Sequence, residues 1–183
     1  MVTGHRPNVL GGHDPNNPQR LYIKKHMTGI MKFILNKYPD VEGISGMALG
    51  ADQDFCDVCI SLNIPFLAYV PFKKQESMWP DSSKSYYSQL LEKAKEIKII
   101  STGEYSPKKM QIRNMAMSDD CNISIGVWNN SISGGTANCI KYLKQIEKPI
   151  VQIDPNLYTL DSPPFIIQTS NKVTTKKTWD YTK

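Results

Sequence analysis

Three short loops in this chain carry residue types suited to holding a phosphorylated small molecule. They are Thr3-Gly4-His5-Arg6-Pro7, Ser45-Gly46-Met47-Ala48-Leu49-Gly50-Ala51-Asp52 and Ser133-Gly134-Gly135-Thr136-Ala137-Asn138. The third makes the strongest physical case. Gly134 and Gly135 lack Cβ atoms, so the backbone can turn sharply and approach a ligand closely. A helix starting at Thr136 would present unpaired N–H groups at the positive end of its dipole. Phosphate suits that position, and the Ser133 and Thr136 hydroxyls add donors. A tight turn that simply needs glycine would look the same, so Gly-Gly-Thr by itself is a weak motif. Three such loops on one sheet edge are a better one.

The second loop opens a helix in the same way through Gly46 and Gly50. Asp52 there can either cap that helix, the commoner role, or accept from ribose hydroxyls. Neither glycine loop is a Walker A, because no Lys-Ser or Lys-Thr follows at the required spacing. Arg113 lies in Met110-Gln111-Ile112-Arg113-Asn114-Met115-Ala116-Met117. An arginine among apolar residues usually has a fixed partner. That partner is a ligand phosphate or an internal carboxylate: Asp52, Asp119 or Asp120.

The elements that must position these loops follow from hydrophobic period. Helices are expected over Gln19–Tyr38, from Ala51, over Ser85–Glu96, from Ser106-Pro107 to about Asp119, and over Thr136–Glu147. Ser106 suits an N-cap and Pro107 the first helical position. Strands are expected over Val41–Ser45, Ile64–Phe72, Ile97–Ser101, Asn122–Trp128 and Ile150–Ile153, with a very short one before Gly4. This alternation predicts an α/β, Rossmann-like fold, a mostly parallel sheet with helices on both faces. Residues 1–160 form one nucleotide-binding domain on this reading. Residues 161–183 add an edge strand and a polar tail. In such sheets ligands bind beyond the carboxyl ends of the strands, where all three loops fall.

The bulk properties narrow the class. At 183 residues the chain can bury a core without staples. Its formal charge of +5 suits an anionic ligand. The lysine pairs are scattered without interleaved aromatics, so nucleic acid is the less favoured partner. No signal peptide or ~20-residue apolar run is evident, which points to a cytoplasmic protein with no membrane partner. Cys56, Cys59, Cys121 and Cys139 form no disulfide framework, and Cys56–Cys59 reads as two helical cysteines. The three histidines do not supply a zinc site, and no cofactor is expected.

In their order, Thr3-Gly4-His5-Arg6-Pro7, Ile44 through Gln53, Pro71-Phe72 with Gln75 and Trp79, Met110 with Arg113-Asn114, and Gly134-Gly135-Thr136 resemble the YpsA-like proteins of the SLOG superfamily. That superfamily also holds the DNA-processing protein DprA and the LOG phosphoribohydrolases. The likeness runs from about Thr3 to Pro155. It implies a Rossmann-like sheet, a nucleotide or nucleotide-sugar ligand at the Gly-Gly-Thr loop, and a homo-oligomer. LOG enzymes cleave an N-glycosidic bond with a Pro-Gly-Gly-x-Gly-Thr-x-x-Glu motif and an upstream arginine. Arg113 matches that arginine, and Gly134, Gly135 and Thr136 match a shortened loop. The glutamate position is Cys139, a neutral thiol poorly suited to stabilise a developing sugar cation. Hydrolysis would require Asp52, Asp54 or Asp119 instead.

Three functions fit these residues. The first is binding or sensing of a nucleotide-derived small molecule. Gly4, Arg6, Gly46, Gly50, Asp52, Arg113, Asn114, Ser133, Gly134, Gly135 and Thr136 would line its pocket. His5 would hydrogen-bond the ligand, and Trp79 or Trp128 would stack on a base, although core packing is the better expectation for Trp128. The second is N-glycosidic hydrolysis or transfer, with Arg113 on phosphate and Asp52 or Asp119 on the sugar cation. The third is single-stranded DNA binding, disfavoured by the lack of an evident stacking platform.

Overall fold

The computed structural model describes residues 1–169 and 174–180. Six parallel strands carry the fold: β1 (Val2–Gly4), β2 (Gly43–Ser45), β3 (Phe66–Val70), β4 (Glu96–Ile99), β5 (Ser124–Val127) and β6 (Ile150–Ile153). Hydrogen bonds join β2-β3-β4 in one ladder and β1-β5-β6 in another, and β2 lies beside β1 without ladder bonds. Helices α1 (Pro18–Lys37), α2 (Ala51–Ser61), α3 (Asp81–Lys93), α4 (Pro107–Asp120) and α5 (Gly135–Gln145) alternate with the strands.

Strand side chains alternate between the two faces. Val2, Ile125, Val127, Val151 and Ile153 join a core with α1, α2 and α3. Ile44, Tyr69 and Ile150 join a second core with α4 and α5. Helices thus cover both faces, as the strand–helix alternation predicts. The sequence also marks the helix starts. Asn17 accepts from Arg20 N at 3.0 Å at the start of α1, and Ser106 accepts from Lys109 N at 3.2 Å ahead of Pro107 in α4.

Buried charge locks α1 to α2. Arg20 holds Asp54 through Nε–Oδ2 at 2.9 Å and Nη2–Oδ1 at 2.6 Å. This fork geometry uses both carboxylate oxygens, so Asp54 is structural and leaves the set of candidate carboxylates. Cys56 and Cys59 are both buried, and burial pushes the Cys59 thiol up to about 12.

Past β6 the structure departs from the sequence reading. β7 (Phe165–Thr169) pairs antiparallel with β6, and β8 (Thr174–Thr178) pairs antiparallel with β7. The expected edge strand is therefore an inner one, and part of the expected polar tail is the edge. An edge strand needs one buried face at most and favours charged residues, so the apolar periodicity that marks inner strands is weak in Thr-Thr-Lys-Lys-Thr. The remainder of the tail, residues 170–173 and 181–183, lies outside the described residues. Among the described residues no helix is long and apolar enough to cross a membrane.

Candidate functional site

The chain leaves β1 toward β2 on one side and returns to β5 on the other side of β1. Between the carboxyl ends of β1 and β5 the loops therefore part, which is where open α/β sheets bind ligands. A pocket of about 120 Å³ lies there. It draws on all three loops and on α4: Gly4 and Arg6 from the first, Ala48 and Asp52 from the second, Gly135 and Thr136 from the third, and Met110, Arg113, Asn114 and Met117 from the helix. Those four α4 positions recur at i, i+3, i+4 and i+7, one helical face. A larger cleft of about 1180 Å³ lies at the opposite edge, among Phe33, Val41, Leu67, Ile123 and Trp179. It has more room, but none of the three loops reaches it.

Electrostatics single out the smaller pocket. Arg113 is only 4 % exposed, and its Nη1 donates to Asp52 Oδ2 at 3.3 Å. Its Nε is buried with no hydrogen-bond partner among the described residues. A guanidinium offers five N–H donors in a fixed fork, so this one is far from satisfied by protein. Arg6 also faces the pocket, and no ion pair or side-chain hydrogen bond engages its guanidinium among the described residues. Burial pushes the Arg6 pKa below its ordinary value, with Asp52 opposing that shift and Arg113 adding to it. The group stays charged at neutral pH regardless. Two cations and one carboxylate line the pocket, a surplus of one positive charge.

Asp52 does not cap α2. Gly50 occupies the N-cap position, and the Asp52 carboxylate turns back to accept from Ala48 N and Arg113 Nη1, each at 3.3 Å. Burial raises its pKa, while Arg113 and then Arg6 pull it back. Gly46 does not face open space. A Cβ there would lie 1.2 Å from Arg113 Nη1 and 2.8 Å from Asp52 Oδ2, so Gly46 is the floor on which the ion pair rests. Gly4 and Gly50 let the first two loops touch: a Cβ would meet Ala51 Cβ at 2.4 Å and His5 O at 2.7 Å respectively.

The third loop joins the first through Thr136, whose Oγ1 donates to Gly4 O at 2.9 Å. Asn114 Nδ2 reaches toward Gly135 O at 3.5 Å and ties α4 to this loop. Gly134 is the N-cap of α5, at φ 96° and ψ 174°, a conformation almost confined to glycine. A Cβ there would meet nothing within 4 Å, so the constraint is conformational and not spatial. Gly134→Val is accordingly expected to fold, with a melting temperature lowered by about 2–12 °C for roughly 1–3 kcal/mol of strain. On the expectation that this loop holds a phosphate, its bent form would lose affinity for nucleoside monophosphates in a calorimetric titration. Unchanged affinity in the folded variant would remove this loop from the site.

Other candidates lie elsewhere. His5 Nε2 sits 2.8 Å from Asn129 Oδ1, so the ring braces the loop after β5, and it is absent from the pocket lining. Ser133 is exposed and also absent from the lining. Asp119 is exposed on α4, where its Oδ1 accepts from Tyr142 OH at 2.8 Å. Trp79 packs on the core and meets Tyr87 edge to face at 5.3 Å. Trp128 packs on the second core and donates its indole N–H to Ser131 O at 2.9 Å. Cys139 is buried in the same core near Ser118, 3.8 Å away, and burial raises its pKa, so it is a neutral packing thiol.

Comparison with known proteins agrees with this architecture. The model of the YspA SLOG family, YpsA, matches residues 1–157. The chain belongs to that family. Among the relatives of this SLOG-family chain is the uncharacterized SPbeta prophage-derived protein YoqJ of Bacillus subtilis. It is 32% identical over 146 residues, covering 70% of this chain and 84% of YoqJ. The UPF0398 protein OB1025 of Oceanobacillus iheyensis is 25% identical over 162 residues, 85% of this chain and 88% of that one. DNA processing protein A (DprA) from Streptococcus pneumoniae has a similar fold, with a TM-score of 0.58 at 12% identity over 84% of this chain. This chain spans 50% of the DprA chain.

Proposed function

We propose that this SLOG-family domain binds a nucleotide-derived small molecule by its phosphate end, in the pocket between Arg6, Arg113 and the start of α5. The observation that carries this reading is the donor surplus: among the described residues the buried Arg113 has an unpartnered Nε and Arg6 forms no ion pair, and the two cations share the single charge of Asp52. Unpaired buried donors are costly, and an anion accepting from both arginines removes that cost. The free N–H groups of α5 point the same preference at the same place. Size agrees with a phosphate end and not a whole nucleotide. Pockets that enclose drug-sized ligands run to roughly 300–1,000 Å³, well above this one's 120 Å³.

Binding is favoured over LOG-type hydrolysis by the carboxylates. Asp52 is the acid of the pocket lining, and it is held by Arg113 and Ala48. Cys139, at the LOG glutamate position, is buried in the core and contributes no charge.

Arg6→Ala tests the reading. Arg6 makes no ion pair or side-chain hydrogen bond among the described residues and meets Asp52 only through its field, so its loss should lower the melting temperature by far less than loss of Arg113. One charge-assisted hydrogen bond is worth about 1.5–3 kcal/mol, so affinity for a nucleoside monophosphate should fall roughly 10- to 150-fold. An unchanged titration curve would mean that the anion lies elsewhere.

A further inference from the structure

We infer that Tyr105 is the platform on which an aromatic base of the ligand stacks, so that the domain selects a nucleotide over a phosphorylated sugar. This rests on the reading of the phosphate pocket given above. A pocket of about 120 Å³ leaves the rest of such a ligand outside its mouth, and the question is what that remainder meets.

One wall of the pocket is the α4 face carrying Met110, Arg113, Asn114 and Met117. Tyr105 directly precedes Ser106, the cap of that helix, so it stands at the end of the same wall. At 1.5 Å of rise per residue, Ser106 and Met110 are about 6 Å apart along the axis. Tyr105 is also near enough to Arg6 for the two to interact electrostatically. Tyr105 is 68 % exposed, yet one edge of its ring is held: it meets the buried Phe72, two residues past β3, edge to face at 6.0 Å. Its hydroxyl has no hydrogen-bond partner among the described residues. The result is a solvent-open aromatic face, held along one edge by Phe72, near a cationic pocket. Trp79 and Trp128 are partly buried against the two cores, and neither lines the pocket.

Stacking on an aromatic side chain is tolerant of base identity, because every base has a π-face. The test is a calorimetric titration of three proteins, wild type, Tyr105→Ala and Tyr105→Phe, with adenosine 5′-monophosphate, uridine 5′-monophosphate and ribose 5-phosphate. Wild type should bind at least one nucleotide more tightly than ribose 5-phosphate. Tyr105→Ala should weaken that nucleotide by about 5- to 150-fold and leave ribose 5-phosphate unchanged, while Tyr105→Phe should retain wild-type behaviour. Equal weakening of nucleotide and ribose 5-phosphate by Tyr105→Ala, or no weakening of either, would overturn the stacking role. So would a wild type that binds ribose 5-phosphate as tightly as both nucleotides, and in each of these cases the phosphate pocket would stand. A wild type that binds none of the three would overturn the pocket and the platform together.

Discussion

Replacing Arg113 with methionine should abolish nucleotide binding and lower the melting temperature at neutral pH by on the order of 10 °C. Methionine conserves much of the side-chain volume on a helix face that already carries Met110 and Met117, so a gross packing defect is not the expected cause. The loss comes from Asp52, only 6 % exposed, which would keep its charge in a dry place without its nearest cation. Breaking a buried pair by removing one partner costs about 3–5 kcal/mol, and for a chain of this size each kcal/mol moves the melting temperature by about 2–4 °C.

The pH dependence separates this cause from a packing defect. Burial already raises the Asp52 pKa above its ordinary value, with Arg113 the larger of two opposing cations. Without Arg113 the folded-state pKa rises further, while the unfolded value stays put. A carboxyl with a raised folded pKa favours the folded state fully below its unfolded pKa, and that contribution is lost as pH rises through the folded value. Arg113→Met should therefore lose most stability near neutrality and recover on mild acidification. Adding Asp52→Asn should recover much of the loss at neutral pH, because an amide carries no charge to bury. Thermal melts of both variants across mildly acidic to neutral pH decide the matter. A deficit in Arg113→Met that is the same at every pH would point to packing.

Gly46→Ala is expected to have the second largest effect, from one methyl group. The new Cβ would occupy the position of Arg113 Nη1, 1.2 Å away, and would also crowd Asp52 Oδ2. The guanidinium is the end of a flexible chain and can move, so the domain should still fold. In moving, Arg113 leaves Asp52 and vacates the phosphate position. The variant should thus resemble Arg113→Met: no measurable nucleotide binding in a calorimetric titration, and a melting temperature several degrees low that recovers with acid. Wild-type affinity in Gly46→Ala would show that the guanidinium need not rest on this loop for binding.

Much of the fold is legible in the sequence because each element buries one face and keeps its period. The apolar run of β3, the Ser106-Pro107 start of α4 and the convergence of the glycine loops at one sheet edge all follow from local pattern. Long-range pairing is not local, and that is where the reading stops. The sequence offers Asp52, Asp119 and Asp120 as carboxylates for Arg113, and the fold selects Asp52, which at the start of a helix reads first as a cap. Gly46 looks like a glycine kept for a ligand, whereas its neighbour is a side chain 67 residues further along the chain. Arg113 and Asp119 share α4 but lie six residues apart, and at about 100° per residue they point to different faces. The helix that buries the first exposes the second. Tyr105 carries no motif of its own, and its position beside the pocket emerges only when the end of α4 meets the end of β3.

The most direct test is a calorimetric titration of the wild-type domain with the four common nucleoside 5′-monophosphates and, side by side, with the matching nucleosides. If the phosphate end is held by Arg6, Arg113 and the start of α5, at least one monophosphate binds and its nucleoside binds far more weakly. Nucleosides that bind as tightly as their monophosphates, or the absence of binding by any of the eight compounds, would contradict a phosphate site in this pocket.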